Sequence, residues 1–83
     1  MPHVIVKLYP GRSEQQKTRL AEEIVKDVVA IAKCGEEAVS VAIEEIKPED
    51  WAEHVYKPDI LSKPQCLYKK PGYSPSSESG NVA

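Results

Sequence analysis

HVIVKLYPGRSEQQKTRLAEEIVKDVVAIAKCG, residues 3–35, decides the fold. Its first seven residues are rich in β-branched and apolar types. Side chains alternate along an extended chain, so Val4, Val6 and Leu8 share one face of a strand and His3, Ile5, Lys7 and Tyr9 the other. Pro10-Gly11 breaks the strand. Ser13 then makes a good helix N-cap, with Gln16 at the reciprocal capping position three residues on. From Glu14 to about Lys33 the pattern is helical: Leu20, Ala21, Ile24, Val25, Val28, Ile31 and Ala32 recur at spacings of three and four. Arg19, Glu22, Glu23, Lys26 and Lys33 occupy the other arc. This predicts an amphipathic helix of roughly 20 residues, about 30 Å long. Gly35 offers a C-terminal stop.

Outward from that stretch, VSVAIEEI (residues 39–46) is a second strand, with Val39, Val41 and Ile43 alternating with Ser40, Ala42 and Glu44. Strand, long helix, strand predicts an α/β (α+β) βαβ unit whose two strands are parallel, with a right-handed connection. Lys47-Pro48-Glu49-Asp50 ends the second strand, and residues 51–56 have room for one or two helical turns before Pro58. Residues 59–68 are a weaker helical candidate, interrupted by Pro64, and Lys70-Pro71-Gly72-Tyr73 is a turn. SPSSESGNVA, residues 74–83, has the composition of a disordered tail, which leaves residues 1–73 as one domain.

Eighty-three residues with 41% hydrophobic and 29% charged content fit one globular domain. A net charge of −2 argues against nucleic acid or an anionic membrane as partner. No apolar run approaches a membrane span, and no basic flank with a long apolar core marks a secretory signal. Cys34 and Cys66 form no CxxC and read as reduced thiols of a cytoplasmic protein, with no metal site. Two strands and one covering helix leave both sheet edges open and one face bare. With neither disulfide nor metal in prospect, oligomerisation into a larger sheet is the expected remedy.

The chain opens Met1-Pro2. A start methionine before a small residue is usually removed, which would expose Pro2 as a free secondary amine. An α-amino group titrates near ~7.7–8.0, and desolvation or a nearby cation lowers that value. A neutral amine base at neutral pH is within reach.

Pro2 behind the start methionine, the first strand, Gly11-Arg12-Ser13-Glu14-Gln15-Gln16-Lys17, the long helix and Val39-Ser40-Val41-Ala42-Ile43 together resemble the 4-oxalocrotonate tautomerase family. The resemblance covers residues 1 to about 73. KPEDW (47–51) and KKPGY (69–73) look most like a bacterial branch whose members form dimers. It implies an isomerase that interconverts keto and enol forms of small enols or 2-oxo acids without a cofactor. It also implies that Pro2 is the general base, that Arg12 holds the substrate carboxylate and that Trp51 forms an aromatic wall. Ser40 falls where better-known members carry a second arginine, and it is the remaining substrate-binding candidate. One fewer cation favours a monocarboxylate or less charged enol over a dicarboxylate. A homodimer is the expected assembly, with a trimer of dimers as runner-up.

The chemistry agrees with the residues. Keto–enol interconversion moves one proton between oxygen and carbon, so a single base that accepts and returns it suffices. Related hydration, dehalogenation or decarboxylation of small acids is the alternative on the same base, and a non-catalytic oligomerising βαβ module is the alternative of a different class. Read singly, each residue has a plainer role: Arg12 as a solvated turn residue, Trp51 as interface core, Ser40 as a small residue on a packed strand, His3 and His54 as structural or solvated.

Overall fold

The computed structural model describes residues 1–74, so the expected tail lies, from residue 75 onward, outside the described residues. The chain forms two compact units, residues 1–45 and a second that begins at Ile46.

The first unit contains β1 (His3–Leu8), α1 (Glu14–Ala32) and β2 (Ser40–Glu45). The strands pair in parallel, from His3 opposite Ser40 to Leu8 opposite Glu45. Opposed residues of a parallel pair point the same way. One face therefore carries Val4, Val6, Val41 and Ile43, and the other carries His3, Ile5, Lys7, Ser40, Ala42 and Glu44. α1 packs on β2 against the first face, where Lys17, Thr18 and Ala21 line a groove of about 370 Å³ with Val41 and Ile43. On the second face Ile5 is half exposed.

Local chemistry sets the ends of α1. Gly11, at φ 128°, turns the chain out of β1 through a region closed to most L-residues. The Ser13 hydroxyl accepts the Gln16 N–H at 3.1 Å, and the Gln16 side-chain carbonyl accepts the Ser13 N–H at 2.8 Å. This reciprocal cap satisfies two of the free donors at the helix start. The stop differs from the sequence expectation. The left-handed residue is Lys33, at φ 62° and ψ 60°, while Gly35 is extended and opens a short 3₁₀ turn, Glu36–Ala38. The Glu37 carboxylate folds over the Gly35 backbone, so what Gly35 supplies is space rather than handedness.

The apolar arc is also shifted. Ala21, Ile24, Val25 and Val28 are half-buried as expected, whereas Leu20, Ile31 and Ala32 are exposed. Val29 joins Val25 in a second groove bordered by Glu22, Lys26 and Glu36. No residue of α1 is buried, and among the described residues Val55 alone is a buried hydrophobic, at 5% exposure.

The second unit begins with a 3₁₀ turn, Pro48–Asp50, started by its proline as expected. A π-helical segment, Ala52–Leu61, follows and runs through Pro58 instead of ending before it. In an α-helix the proline ring collides with the carbonyl four residues back. The wider five-residue step avoids that collision. Its last turn shows the step: the Ser62 N–H donates to the Lys57 carbonyl at 3.0 Å, and the Ser62 hydroxyl donates to the same oxygen at 2.6 Å. A 3₁₀ turn, Pro64–Cys66, occupies the position of the interrupting proline. No helix among the described residues is long and apolar enough to cross a membrane.

Lys17 ties the first unit together. Its Nζ lies 2.8 Å from Glu14 in the first turn of α1 and 3.0 Å from Glu45 at the end of β2, with only 18% of the side chain exposed. The hydrogen bond to Glu14, then that to Glu45, raises its pKa above the ordinary 10.5. A raised folded pKa contributes stability that is complete below about 10.5 and is lost as pH climbs through the folded value. Lys17→Met should therefore lower the urea midpoint at pH 7 and flatten the loss of stability on the alkaline side. Urea melts of both proteins across that range check it; an unchanged alkaline slope would assign the loss to other groups.

Candidate active site

Pro2, half-buried, stands immediately before β1, and its carbonyl accepts the Ser40 N–H at 3.2 Å. That bond extends the parallel ladder by one position and fixes the proline at the start of both strands. Met1 beyond it is fully exposed. Ser40 is thus brought to Pro2 through its backbone. Its side chain is engaged elsewhere: Ser40 Oγ lies 2.6 Å from His3 Nδ1. Pro2, His3 and Ser40 form one cluster at the N-terminal end of the sheet.

Arg12 does not join that cluster within the chain. It lies in the exposed turn between β1 and the Ser13 cap, past the far end of β1. A strand of six residues spans about 20 Å. Pro2 and Arg12 therefore mark opposite ends of the same strand.

Trp51 belongs to the second unit, at the entry to the π-helical segment, and is half-buried. Its indole N–H donates to the Tyr73 hydroxyl at 2.9 Å. The Tyr73 ring packs beside Tyr56, with centroids 5.8 Å apart and planes tilted by 49°. Indole has one donor and no acceptor. Here that donor is directed at Tyr73.

Reading the sequence missed two partners. Tyr73 and Trp51 are 22 residues apart, and no local pattern connects them. His3 and Ser40 are 37 apart, but each begins a strand. Aligning the two strands by their apolar faces sets them opposite each other, so register was the signal that could have found this pair. Among the described residues no three His, Cys, Asp or Glu side chains converge as a metal site.

Residues 2–55 match the family model described as Tautomerase enzyme. A Xylella fastidiosa protein named Probable tautomerase is 41% identical over 73 residues, 88% of this chain and 89% of the relative. Tautomerase PptA of Cronobacter sakazakii is 38% identical over 74 residues, 88% of this chain and 97% of the relative. Among solved structures, TomN is described as a 4-oxalocrotonate tautomerase homologue in the tomaymycin biosynthetic pathway. It is 36% identical with a TM-score of 0.58, covering 60% of this chain and 77% of TomN.

Proposed function

The chain belongs to the tautomerase family, and from that premise we propose that it is a cofactor-independent keto–enol tautomerase of small enols or 2-oxo acids. The free amine of Pro2 is its general base. The observation that carries this reading is the setting of Pro2. Its carbonyl is held on β2, while Met1 on its nitrogen is fully exposed and adds nothing to the packing. Removing Met1 frees the amine and leaves the ladder intact.

The neutral amine takes the proton from the enol hydroxyl as the carbonyl forms, and returns it to the substrate carbon. Arg12 binds the substrate carboxylate through paired hydrogen bonds and, close to the amine, disfavours its protonated form. The family resemblance gives Trp51 the part of an aromatic wall. Only one cation of this set faces the substrate, which suits a monocarboxylate. Residues 1–73 are taken as the working domain. The thiols of Cys34 and Cys66 carry no disulfide, which fits a reducing cytoplasm.

Since Arg12 and Pro2 lie at opposite ends of β1, the working site needs a second copy. In a two-fold dimer joined through the free edge of β1, the two copies of β1 run antiparallel. The partner's Arg12 then approaches Pro2. The same pairing closes an open edge of the sheet.

Three outcomes follow. Active protein should have the mass of the chain without Met1, and a homogeneous sample that retains Met1 should be inactive; full activity with Met1 in place would sink the amine base. Arg12→Ala should reduce turnover of a carboxylate-bearing enol by roughly one to two decades, the loss of a charge-assisted pair of about 1.5–3 kcal/mol. A matched ester should lose far less, and equal losses would remove Arg12 as the anchor. Sedimentation equilibrium should show a dimer whose dissociation on dilution abolishes activity and changes Trp51 fluorescence. A stable, active monomer at micromolar concentration would overturn the composite site.

A further inference from the structure

The side chain next to the proposed base has a partner that the mechanism above does not use. His3 Nδ1 and Ser40 Oγ, 2.6 Å apart, meet across the first rung of the parallel ladder, and the Ser40 N–H also holds the Pro2 carbonyl at 3.2 Å. One residue of β2 therefore grips both Pro2 and the first residue of β1, His3. A serine hydroxyl both donates and accepts. It donates to Nδ1 of a neutral imidazole and accepts from Nδ1–H of a cationic one. The grip survives the gain of a proton, and imidazole is the side chain that ordinarily changes charge between about pH 5 and 8.

We propose that His3, held by Ser40, is a positioning residue for the Pro2 base: the pair fixes the strand end that carries the amine, and the imidazole charge sets how far down in pH the amine stays neutral. This rests on the reading of Pro2 as the base. Ser40 then acts through His3 and not on the substrate.

Within one chain the other charges lie apart from this pair, and the partner's Arg12, which approaches Pro2 in the proposed dimer, is a fixed cation that does not titrate in this range. Lys7 and Glu44 share the face of His3 but sit four positions along the strands, about 13 Å away, beyond the screening length of about 8 Å. Glu36 and Glu37 are exposed in the turn that leads into β2. Lys17, Glu14 and Glu45 gather on the opposite face, at the far end of the sheet. The titrating group nearest to His3 along the chain is the Pro2 amine itself. Two such neighbours titrate as a couple, because a proton on one disfavours a proton on the other. Between adjacent residues in partly aqueous surroundings, the expected displacement is about half a pH unit to one unit.

The test uses protein of verified mass lacking Met1, with an ¹⁵N label on proline. Pro2 is titrated by NMR, and kcat and KM are followed against pH for an enol substrate. His3→Asn sets an amide nitrogen or oxygen where Nδ1 stood, so it keeps the bond to Ser40 and removes the charge. Its Pro2 titration should rise by about half a unit to one unit and sharpen to a single step, and the acid limb of kcat/KM should move with it. Ser40→Ala should lower kcat several-fold with little change in KM, and Ser40→Thr, which keeps the hydroxyl, should restore it. An unmoved Pro2 titration in His3→Asn overturns the coupling. A Ser40→Ala variant that raises KM with kcat intact overturns the positioning role and returns Ser40 to the substrate. A Pro2→Ala protein as active as wild type overturns the base itself, and this proposal with it; an inactive Pro2→Ala beside an unmoved titration overturns the coupling alone.

Discussion

The parallel pairing of β1 with β2 is the constraint from which the other features follow. Parallel neighbours cannot be joined by a tight turn, so the chain must cross the length of the sheet between them. The 19-residue α1 makes that crossing and covers one face on the way. Parallel strands also start at the same end. That alone brings Pro2, His3 and Ser40 together and sends Arg12 and Glu45 to the opposite end. The topology thus sets Pro2 and Arg12 at opposite ends of β1.

The second constraint is burial. Forty-one per cent of the chain is hydrophobic, yet among the described residues one hydrophobic side chain is buried. Half-covered apolar residues do little to offset the conformational entropy lost on folding. Lys17, bridging Glu14 and Glu45, links α1 to β2, but an ion pair near the surface is a weak substitute for a core. Stability and catalysis thus ask for the same thing. In the proposed dimer, a partner that pairs with the β1 edge closes that edge and brings a cation to the proline. An interface selected for either purpose serves the other.

What could be read in advance was whatever depends on neighbours in sequence. The alternation in residues 3–9 and 39–46, the Ser13–Gln16 cap and the spacing of α1 each express a local period, and each reappears in the structure within a residue or two. The helix stop was misplaced because Gly35 signals a permitted conformation and not a required one; Lys33 takes the left-handed position two residues earlier. Pro58 misled for a related reason. Proline forbids the α-helical step but leaves a wider step open, and nothing local in AEHVYKPDIL announces that choice. Exposure of Leu20 and Ile31 depends on how much of α1 the two-stranded sheet can cover, a tertiary quantity. On the candidate site, residue type and place in the pattern singled out Pro2 and Arg12 as candidates. Their separation emerged only when the strand was laid out, and the Trp51–Tyr73 bond only when residues 22 apart were set side by side.

With Pro2 as the proposed base and Arg12 as the proposed anchor, the charge inventory bears on the substrate. A dianion bound beside Pro2 would bring two negative charges to a pocket with one guanidinium. The surplus charge would raise the pKa of the amine and hold it protonated, against the needs of a base. A monoanion leaves the pocket balanced, so the guanidinium can both anchor the carboxylate and let the amine stay neutral. The hydroxyl at Ser40 is consistent with that economy of charge. Bonded to His3, it adds no fixed charge to the N-terminal end of the sheet, so on that proposal any change of charge there comes from the imidazole and the Pro2 amine. The preference for a singly charged enol and the pH range of the base are then two expressions of the same electrostatic balance at the proline nitrogen.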